Sequence, residues 1–452
     1  MASATTIDPD QASAYPPLGA AGYSLALLFS AYVLSFVDRQ VLALMVGPIR
    51  EQFGISDFEF SLLQGAAFAL LYTFAGLPLG RLADRRSRKY VIAASVGFWS
   101  LATCACGLAR NFWQLFLARM AVGSGEAGLA PAAYSIITDS FRPKHFGYAM
   151  AFYKVAVNVG GGLALVLGGL LIDHFTRIDG LALPWIGIVQ PWQATLITVG
   201  APGLILSLLL LTVTEPRRKG LVSSNSGELH LPVRSVARFL WQRKRVYLSL
   251  FMGSSMLAMA GYGSAAWYPE FLVRNYGMSK TAAGSSYGTI LLTAGILGVM
   301  LGPWVANRLA ARGHSDAFVR TILYASILAT FPAVAAPLMG NETLTLIVLW
   351  PAVLLGAAYL GVMAASFQPI TPNQMRGQTT AIYIFVTNIF GMAVGTSVLA
   401  AFTDFLYQDD GLLHYSIATA NAIFYPAAVL LFWYCLAAYR RSVAEAGEWH
   451  ID

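Results

Sequence analysis

Charged side chains are scarce in this sequence. Asp, Glu, Lys and Arg make up 11% of its 452 residues, whereas soluble proteins carry about 25% charged residues. Hydrophobic residues make up 57% of the chain, and its mean hydropathy is +0.61. This composition excludes an ordinary water-soluble domain, so we expect a membrane protein that crosses the bilayer several times.

Cysteine and histidine are also few. Cys104 and Cys106 lie in one apolar run and Cys435 in another, which gives neither a disulfide framework nor a zinc-ligand spacing. None of the six histidines is spaced like a metal-binding pair. We therefore expect buried cysteines, no metal and no other bound cofactor.

The sequence also lacks the motifs of common membrane enzymes and pumps. It contains no nucleotide-binding loop, no metal triad and no nucleophile-base motif. An enzyme is not expected, and a receptor is disfavoured because no soluble domain is appended. Without an ATP-binding segment, any active transport would have to draw on an ion gradient.

Long apolar runs fill most of the chain. A helix needs about twenty apolar residues to cross ~30 Å of hydrocarbon. The runs are too long for barrel strands, and a helix satisfies its own backbone hydrogen bonds in lipid, so we expect an all-α protein. We number the runs span 1 to span 12, and in chain order they cover 22–48, 58–80, 90–109, 112–140, 147–172, 191–213, 246–272, 281–306, 318–338, 343–370, 377–402 and 415–439.

The placement of basic residues predicts the orientation, because Lys and Arg stay on the cytoplasmic side. With both termini cytoplasmic, the inner segments hold 21 of the 29 Lys and Arg residues and the outer segments hold five. The net charge of +7 is then mostly a topology signal, with a basic surface facing anionic membrane lipid. Nucleic acid is not expected as a partner.

The chain divides into two halves of six spans. Residues 214–245 form the only long polar stretch, and we interpret them as a cytoplasmic linker between a bundle at 21–213 and a bundle at 246–440. The first twenty residues have no Lys or Arg, unlike the start of a signal peptide, and we expect a disordered tail at 1–20. Residues 441–452 are expected to form a cytoplasmic tail. Within the linker, "LPVRSVARFLWQRK" spaces its apolar and basic residues as an interfacial helix needs.

The two halves resemble each other. "GYAMAFYKVAVNVGG" from Gly147 and "GQTTAIYIFVTNIFG" from Gly377 are identical at five of fifteen positions, all at an offset of 230. The paired segments cross in the same direction, so the repeat is parallel and its axis lies along the membrane normal. This arrangement is typical of secondary transporters whose site lies between two bundles at mid-depth.

One cytoplasmic loop resembles the signature loop of the major facilitator superfamily. In "GRLADRRSRK" the matching residues are Gly80, Asp84, Arg85, Arg88 and Lys89, while Ser87 replaces the usual Gly. The resemblance implies two six-helix bundles and a conformational latch, with the acid facing a helix start and the arginines facing acids of the first bundle. The plainer alternative is a merely basic loop.

Three further stretches resemble the Spinster family of lysolipid and sphingosine phosphate transporters. They are "SFVDRQVLALM" in span 1, "RMAVGSGEAGLAPAAYSIITDSF" in span 4 and "AIYIFVTNIFGMAVG" in span 11. The resemblance implies a monomer in a bacterial inner membrane that exports an amphipathic or lipid-like molecule in exchange for protons. The intramembrane charges that match are Asp38, Arg39, Arg119 and Glu126.

The depth of these four charges supports a cluster independently. Asp38 lies ~24 Å along span 1, close to mid-membrane. Arg119 and Glu126 are seven residues apart and therefore share a face of span 4. Each buried charge costs ~2.5 to 3.5 kcal/mol, so we expect Arg39 to engage Glu126 or an anionic substrate group, and Asp38 to engage Arg119. The cluster would couple protons and gate transport, and the alternative is a purely structural ion-pair staple.

Small residues surround Glu126 in span 4. They let a neighbouring helix approach closely, and the resemblance makes span 1 that neighbour. We predict Glu126 as the first choice of proton carrier, because small neighbours offer few competing hydrogen bonds. The small residues are Gly123, Ser124, Gly125, Ala127 and Gly128.

A second group of residues is expected to line a substrate cavity. Lys154 either binds an anionic group or extends to the inner surface, and Asn158 and Asn388 either donate into the cavity or bond between helices. The second half supplies aromatic residues, so one wall is charged and the other aromatic, which suits an amphipathic substrate. A facilitator, or a drug or organic anion transporter of the same fold, remains open. The aromatic residues expected in the cavity are Tyr262, Tyr359, Phe367 and Tyr383. Trp267 and Tyr268 belong to the same aromatic-rich half, in which some rings are expected to face lipid or the membrane interface.

Overall fold

A computed structural model describes residues 15–184, 186–218 and 233–448 of the chain. Residues 1–14 of the expected tail at 1–20 lie outside these ranges. The first helix begins at Leu18, within the last residues of that expected tail. Ten helices in the described ranges are long and apolar enough to cross a membrane. Spans 4 and 7 supply the other two crossings, so the expected fold of twelve membrane helices is confirmed.

The helices of the first half follow its six predicted spans, two of which are divided into two helices. Span 4 is interrupted near Gly128, shortly after Glu126, which divides it into helices of 15 and 12 residues. The helices are Leu18–Gln40 for span 1, Asp57–Ser61 and Ala67–Arg85 for span 2, Arg88–Cys106 for span 3, Phe112–Glu126 and Leu129–Ser140 for span 4, Pro143–Arg177 for span 5 and Pro191–Leu210 for span 6.

The second half repeats this arrangement with more interruptions. Prolines lie inside its helices, and a proline removes a backbone donor. The helices are Lys244–Tyr276 for span 7, Lys280–Ile290 and Ile296–Ala311 for span 8, Ala317–Ala335 for span 9, Glu342–Ala357 for span 10, Asn373–Asn388 and Gly395–Ala401 for span 11 and Leu413–Glu448 for span 12. The last helix therefore includes most of the expected tail at 441–452.

Short irregular turns interrupt several spans where the two bundles meet. Span 1 tightens into a 3₁₀ turn at Val41–Leu44, immediately after its charge pair. Single π-helical turns, which often mark functional positions, occur at Leu62–Ala66, Leu291–Gly295 and Ile389–Val394. The sequence analysis did not predict these turns, because each changes the free energy of its helix only slightly and depends on which helix packs against it.

Two short strands lie between spans 5 and 6. β1 at Leu181–Leu183 pairs antiparallel with β2 at Gly187–Val189, with Leu181 opposite Val189. The hairpin was not predicted, because its strands are only three residues long. It lies at the end of the molecule opposite the linker, which we call the distal end.

The linker helix predicted from "LPVRSVARFLWQRK" is present at Val233–Gln242. Val236 and Leu240 are buried on one side, while Trp241 is 68% exposed. The remaining linker residues 219–232 lie outside the described ranges. An amphipathic helix at the linker is confirmed, and its location on the membrane surface stays a prediction.

The small residues of span 4 pack against other neighbours than expected. A Cβ at Gly123 would collide with the backbone carbonyl oxygen of Phe68 on span 2, and one at Gly125 would lie 2.8 Å from the Cβ of Trp99 on span 3. The expectation that span 1 uses this surface is wrong. Spans 2 and 3 occupy it, and span 1 instead reaches Glu126 of span 4 through the side chains of Ser35 and Arg39.

The two bundles are held together at the distal end. Lys280 Nζ donates to the carbonyl oxygen of Leu44 at 2.9 Å, and the hydroxyl groups of Ser61 and Ser397 lie 3.0 Å apart. In the part of the chain that the structure describes, polar contacts between the bundles lie at this end or at mid-depth. At the linker end Tyr148 is 80% exposed. The bundles are therefore closed at the distal end.

Candidate functional site

Arg39 of span 1 and Glu126 of span 4 form a buried ion pair. Arg39 Nη2 and Nε lie 2.6 and 2.7 Å from Glu126 Oε2. The same oxygen accepts a hydrogen bond from the hydroxyl of Ser35, one helical turn before Arg39. The side chain of Glu126 has no solvent exposure and that of Arg39 has 12%. The expected pairing of these two residues is confirmed.

Arg119 reaches Asp38 through the backbone instead of the side chain. Arg119 Nη1 donates to the carbonyl oxygen of Asp38 at 3.1 Å. Among the described residues, Arg119 Nε and Nη2 and Asp38 Oδ1 have no hydrogen-bond partner, although both residues are at most 2% exposed. The expected residue pair is therefore correct, but the expected contact between guanidinium and carboxylate is absent from this conformation.

This geometry reverses the argument for Glu126 as the proton carrier. One of its oxygens accepts from Ser35 and from two nitrogens of Arg39, so competing hydrogen bonds are not few. Asp38 Oδ1 and Glu126 Oε1 both lack a hydrogen-bond partner in the described part of the chain. Asp38 nevertheless has the weaker surroundings, because Glu126 is paired with an arginine and Asp38, among the described residues, is not. The premise that small neighbours leave Glu126 with few hydrogen bonds was wrong, because Ser35 and Arg39 of span 1 reach its carboxylate.

Aromatic rings enclose the guanidinium of Arg39. Its Cζ lies 4.5 Å from the ring centre of Phe68, 4.7 Å from that of Tyr72 and 4.8 Å from that of Phe36. Cation-π attraction strengthens when the cation is removed from water. The rings therefore help to stabilise a buried positive charge that has one carboxylate partner.

A cavity of about 220 Å³ lies beside this cluster, between the two bundles. A smaller pocket of about 40 Å³ adjoins it and is lined by Arg39, Arg119 and Gln64. Phe36, Gln40 and Tyr262 line both spaces and so form their common wall. The charge cluster therefore faces a small polar annex of the larger cavity.

The sequence pattern of the Major Facilitator Superfamily matches residues 28–398, which is most of the chain. The chain belongs to the Major Facilitator Superfamily. It is therefore a transporter and not an enzyme.

Within the superfamily the chain is Spinster-like. The crystal structure of a bacterial homolog of the human lysosomal transporter Spinster, inward-facing and unoccupied, superposes with a TM-score of 0.77 at 26% identity and covers 95% of this chain and 99% of the other. Protein spinster homolog 1 of Rattus norvegicus is 30% identical over 61% of this chain and 53% of its own. An MFS-type efflux pump of Mycolicibacterium smegmatis is 27% identical over 97% of this chain and 98% of its own.

Three of the predicted cavity residues line the cavity of this superfamily member. Asn158, Tyr262 and Tyr359 are on its wall. Lys154 is exposed and its Nζ instead donates to the hydroxyl of Tyr134. The other predicted residues, Phe367, Tyr383 and Asn388, are not among the described lining residues.

The aromatic pair of that group packs within the second bundle. The rings of Phe367 and Tyr383 lie 4.9 Å apart, and each also contacts Phe251. Phe367 is 2% exposed. A cavity-facing position for Phe367 and Tyr383 is therefore not seen in this conformation, because both rings are used for packing.

The superfamily signature loop is only partly engaged. Arg88 is 1% exposed, pairs with Asp139 of span 4, and donates from Nε to Glu215 of the linker at 3.1 Å. The expected contact of an arginine with an acid of the first bundle is therefore present, through Asp139. Asp84 and Arg85 are exposed, with no partner in the described ranges. The expected contact of Asp84 with a helix start is absent here, because the bundles meet at the opposite end. Gly80 approaches Pro131 of span 4.

Sequence reasoning missed two features of this transporter. Gln40 follows the charge pair directly and donates to the carbonyl oxygen of Ala265 on span 7, which makes it a polar link between bundles. A polar residue in an apolar run next to two charges was the available signal. The distal ion pair of Asp57 and Arg274 was also missed, because Arg274 was counted only as a basic residue for topology.

Proposed function

We propose that the protein is a proton-coupled secondary transporter that moves an amphipathic or lipid-like molecule by alternating access. The observation that carries this proposal is the incomplete pairing of Asp38 and Arg119, which are both almost fully buried, with Arg119 on the wall of the cavity annex. An ionised carboxylate with an unpartnered oxygen is costly in a low-dielectric interior. Asp38 therefore gains more from binding a proton than Glu126 does, whose other oxygen is paired with Arg39.

The arrangement offers a route from protonation to movement. Arg119 donates a hydrogen bond to the backbone carbonyl of Asp38, and Asp38 lies three residues before the turn at Val41–Leu44. That turn is bound by Lys280 of the second bundle. We propose that charging and neutralising Asp38 changes how span 1 is held between Arg119 and the second bundle, and so shifts the balance between closed and open distal ends.

The proposed substrate class is based on the residues that line the annex and the main cavity, and on the similar proteins. Arginine side chains line the annex, while tyrosine side chains line the main cavity. Similarity to Spinster proteins and to an efflux pump supports export of an amphipathic molecule. We further propose that the protein works as a monomer in a bacterial inner membrane, with both termini cytoplasmic, no cofactor besides the proton, and membrane lipid as its surroundings.

The test is transport in proteoliposomes with an imposed pH step, using a panel of lysolipids, sugars and drugs. For the compound that accumulates, Asp38→Asn should abolish pH-driven accumulation but leave exchange across the membrane measurable. Glu126→Gln should also abolish accumulation, because it leaves Arg39 without its carboxylate. Glu51→Gln, which removes an exposed acid at the distal end, is the matched control and should behave as wild type.

A facilitator on the same fold is the second candidate. The observation that favours it is the position of Arg39, which is ion-paired with Glu126 and in contact with three aromatic rings. A purely structural ion pair would be held in the same way. Full pH-driven accumulation by both Asp38→Asn and Glu126→Gln would contradict proton coupling through this cluster. Transport that equilibrates the substrate without responding to the pH step would identify a facilitator.

A further inference from the structure

The carboxyl group of Asp38 has neighbours on span 3 as well as on span 4. Thr103 and Trp99 of span 3 lie close enough to this carboxyl group to act on it. They are four residues apart on one helix and therefore share a face of it. Thr103 is 1% exposed and Trp99 is fully buried. Span 3 thus brings a hydroxyl and an indole N–H to the acid that proton coupling would use.

The polar atoms of these three side chains are not yet paired with one another. Among the described residues, Trp99 Nε1, Thr103 Oγ1 and Asp38 Oδ1 have no hydrogen-bond partner, and each atom is shielded from solvent. A buried polar group without a partner is unfavourable. An indole N–H and a hydroxyl can both donate, and an ionised carboxylate only accepts. The two donors and the acceptor are therefore able to satisfy one another.

Trp99 is held in its position by span 4. A Cβ at Gly125 would lie 2.8 Å from the Cβ of Trp99, so the two helices approach closely at this point. Gly125 directly precedes Glu126, the partner of Arg39. A buried tryptophan usually finds an acceptor for its N–H. The indole is packed beside the charge cluster, and its N–H has no acceptor in the described part of the chain.

The other titratable groups around Asp38 do not take the place of these donors. Arg119 donates to the backbone carbonyl of Asp38, and Glu126 is paired with Arg39. The two thiols of span 3 are weak donors, and span 6, which packs against span 1, contains no titratable side chain. The titratable neighbours are Arg39 on the same helix, Arg119 and Glu126 on span 4, and Cys104 and Cys106 on span 3.

We propose that Thr103 and Trp99 are positioning residues for proton coupling, which donate to the carboxylate of Asp38 when it is ionised. Protonation removes the negative charge that attracts both donors, so the carboxyl group is then free to leave span 3. Binding of the proton thereby changes how span 1 is held against span 3. The inference rests on the proposed proton coupling through Asp38, and it adds the groups that set the pH at which Asp38 binds its proton.

The test is an infrared titration of the full chain in phospholipid bilayers, without any substrate. A protonated carboxyl group has a C=O stretching band that a carboxylate lacks. The part of this band that Asp38→Asn removes reports on Asp38, and each further variant is measured with and without Asp38→Asn. Loss of a donor that stabilises the ionised form favours the protonated form. Thr103→Val should therefore move the midpoint of the Asp38 band upward by about one pH unit.

The variants of Thr103 have matched controls. Thr103→Val replaces a hydroxyl that has no described partner, so the thermal midpoint should stay near that of the wild type. Thr103→Ser keeps a hydroxyl and should restore the wild-type titration. Ser100→Ala is the control on the same helix, because the hydroxyl of Ser100 is also buried without a described partner. It faces span 6, where a Cβ at Gly203 would collide with it, and its loss should leave the titration unchanged.

Trp99→Phe tests the second donor. It removes the indole N–H and should move the midpoint in the same direction as Thr103→Val. Trp192→Phe is its control, because the N–H of Trp192 already donates to Gln52 at 2.7 Å, away from the charge cluster. A lower thermal midpoint with an unchanged titration would show that Trp99 serves packing alone.

Two kinds of failure are distinguishable. An unchanged Asp38 midpoint in Thr103→Val or in Trp99→Phe would remove that residue from the proposal, and unchanged midpoints in both would overturn it. An equal shift in Ser100→Ala would overturn it as well. These results leave coupling through Asp38 intact. An Asp38 band that does not respond to pH would instead contradict proton coupling through this acid, and the role of both donors with it.

Discussion

Arg274 of span 7 binds both carboxylate oxygens of Asp57 at the start of span 2, with Nη1 and Nη2 lying 2.7 and 2.8 Å from Oδ2 and Oδ1. Asp57 has no solvent exposure. Arg50 Nη1 is 3.0 Å from the same carboxylate and 2.7 Å from Asp410 of the second half. These four residues, which we call the distal charge network, join the bundles across their interface.

The distal charge network should hold the distal end closed. Asp57→Asn removes the carboxylate that two arginines share, and losing one partner of a buried ion pair costs about 3 to 5 kcal/mol. Some of this is recovered here because Arg274 also contacts Glu270 at 2.8 Å. We expect the variant to open the distal end more often. Ser61→Cys with Ser397→Cys measures closure as disulfide yield, because the two hydroxyls are 3.0 Å apart.

The disulfide yield of Asp57→Asn should fall several-fold in a background without the native cysteines. Glu51→Gln is the control, because Glu51 is an exposed acid at the same end. A yield in Asp57→Asn equal to that of the control would mean that packing, and not charge, holds this end closed.

The loop of residues 80–89 should act as a latch for the opposite conformation. Asp84 is exposed while the distal end is closed, so its helix-start partner would be reached only when the bundles close at the linker end. Asp84→Asn removes the charge that a helix start favours and should shift the population toward the present conformation. The Ser61 and Ser397 cysteine pair should then cross-link faster than in the control Asp179→Asn, a substitution in an exposed loop. An unchanged rate would refute the latch.

Gly65 should be needed for distal closure. A Cβ at Gly65 of span 2 would collide with Thr396 Oγ1 and with the carbonyl oxygen of Met392 in span 11. Gly65→Ala should therefore push span 2 away from span 11 and lower the disulfide yield of the Ser61→Cys and Ser397→Cys pair. Gly76→Ala in span 2 is the matched control, because a Cβ there meets no atom within 4 Å. Equal yields from the two alanine variants would show that the helices adjust without opening.

Glu215 should make stability depend on pH at the linker end. Burial raises the pKa of its carboxyl, but hydrogen bonds from Ser87 and from Arg88 outweigh burial and leave the pKa below its usual value. A lowered pKa in the folded state means that stability is present above the unfolded pKa of about 4.3. It is lost as pH falls through the lower folded value.

The matching measurement is the thermal midpoint of the detergent-solubilised protein between pH 7 and pH 3. Glu215→Gln should lower the free energy of unfolding by about 1 kcal/mol at pH 7. This value is small for a charged hydrogen bond because Glu215 is partly exposed and water screens the contact. The difference between variant and wild type should shrink below about pH 4. A constant difference across this range would show that Glu215 acts by packing.

Periodicity, charge placement and the internal repeat were enough to predict the fold. Twelve runs of about twenty apolar residues leave helices as the spanning structure, and the offset of 230 between Gly147 and Gly377 indicates two parallel halves. The pairing of Arg39 with Glu126 was also predictable, because both charges lie at mid-depth and each needs a partner there. These features depend on hydropathy and on helix geometry, which are properties of the local sequence.

The tertiary structure alone decided which atoms meet. Arg119 reaches the backbone of Asp38 and not its carboxylate, Phe68 occupies the surface that span 1 was expected to cover, and Asp84 has no described partner while the bundles are closed at the far end. Residue spacing places a side chain on a helix face, but it does not determine which helix packs there or how two bundles are tilted. The sequence by itself determined twelve helices, two halves and a buried charge cluster. The pairing within the cluster, the tyrosine-lined cavity and the closed distal end arise from contacts between residues far apart in the chain, and those depend on the packing of whole helices.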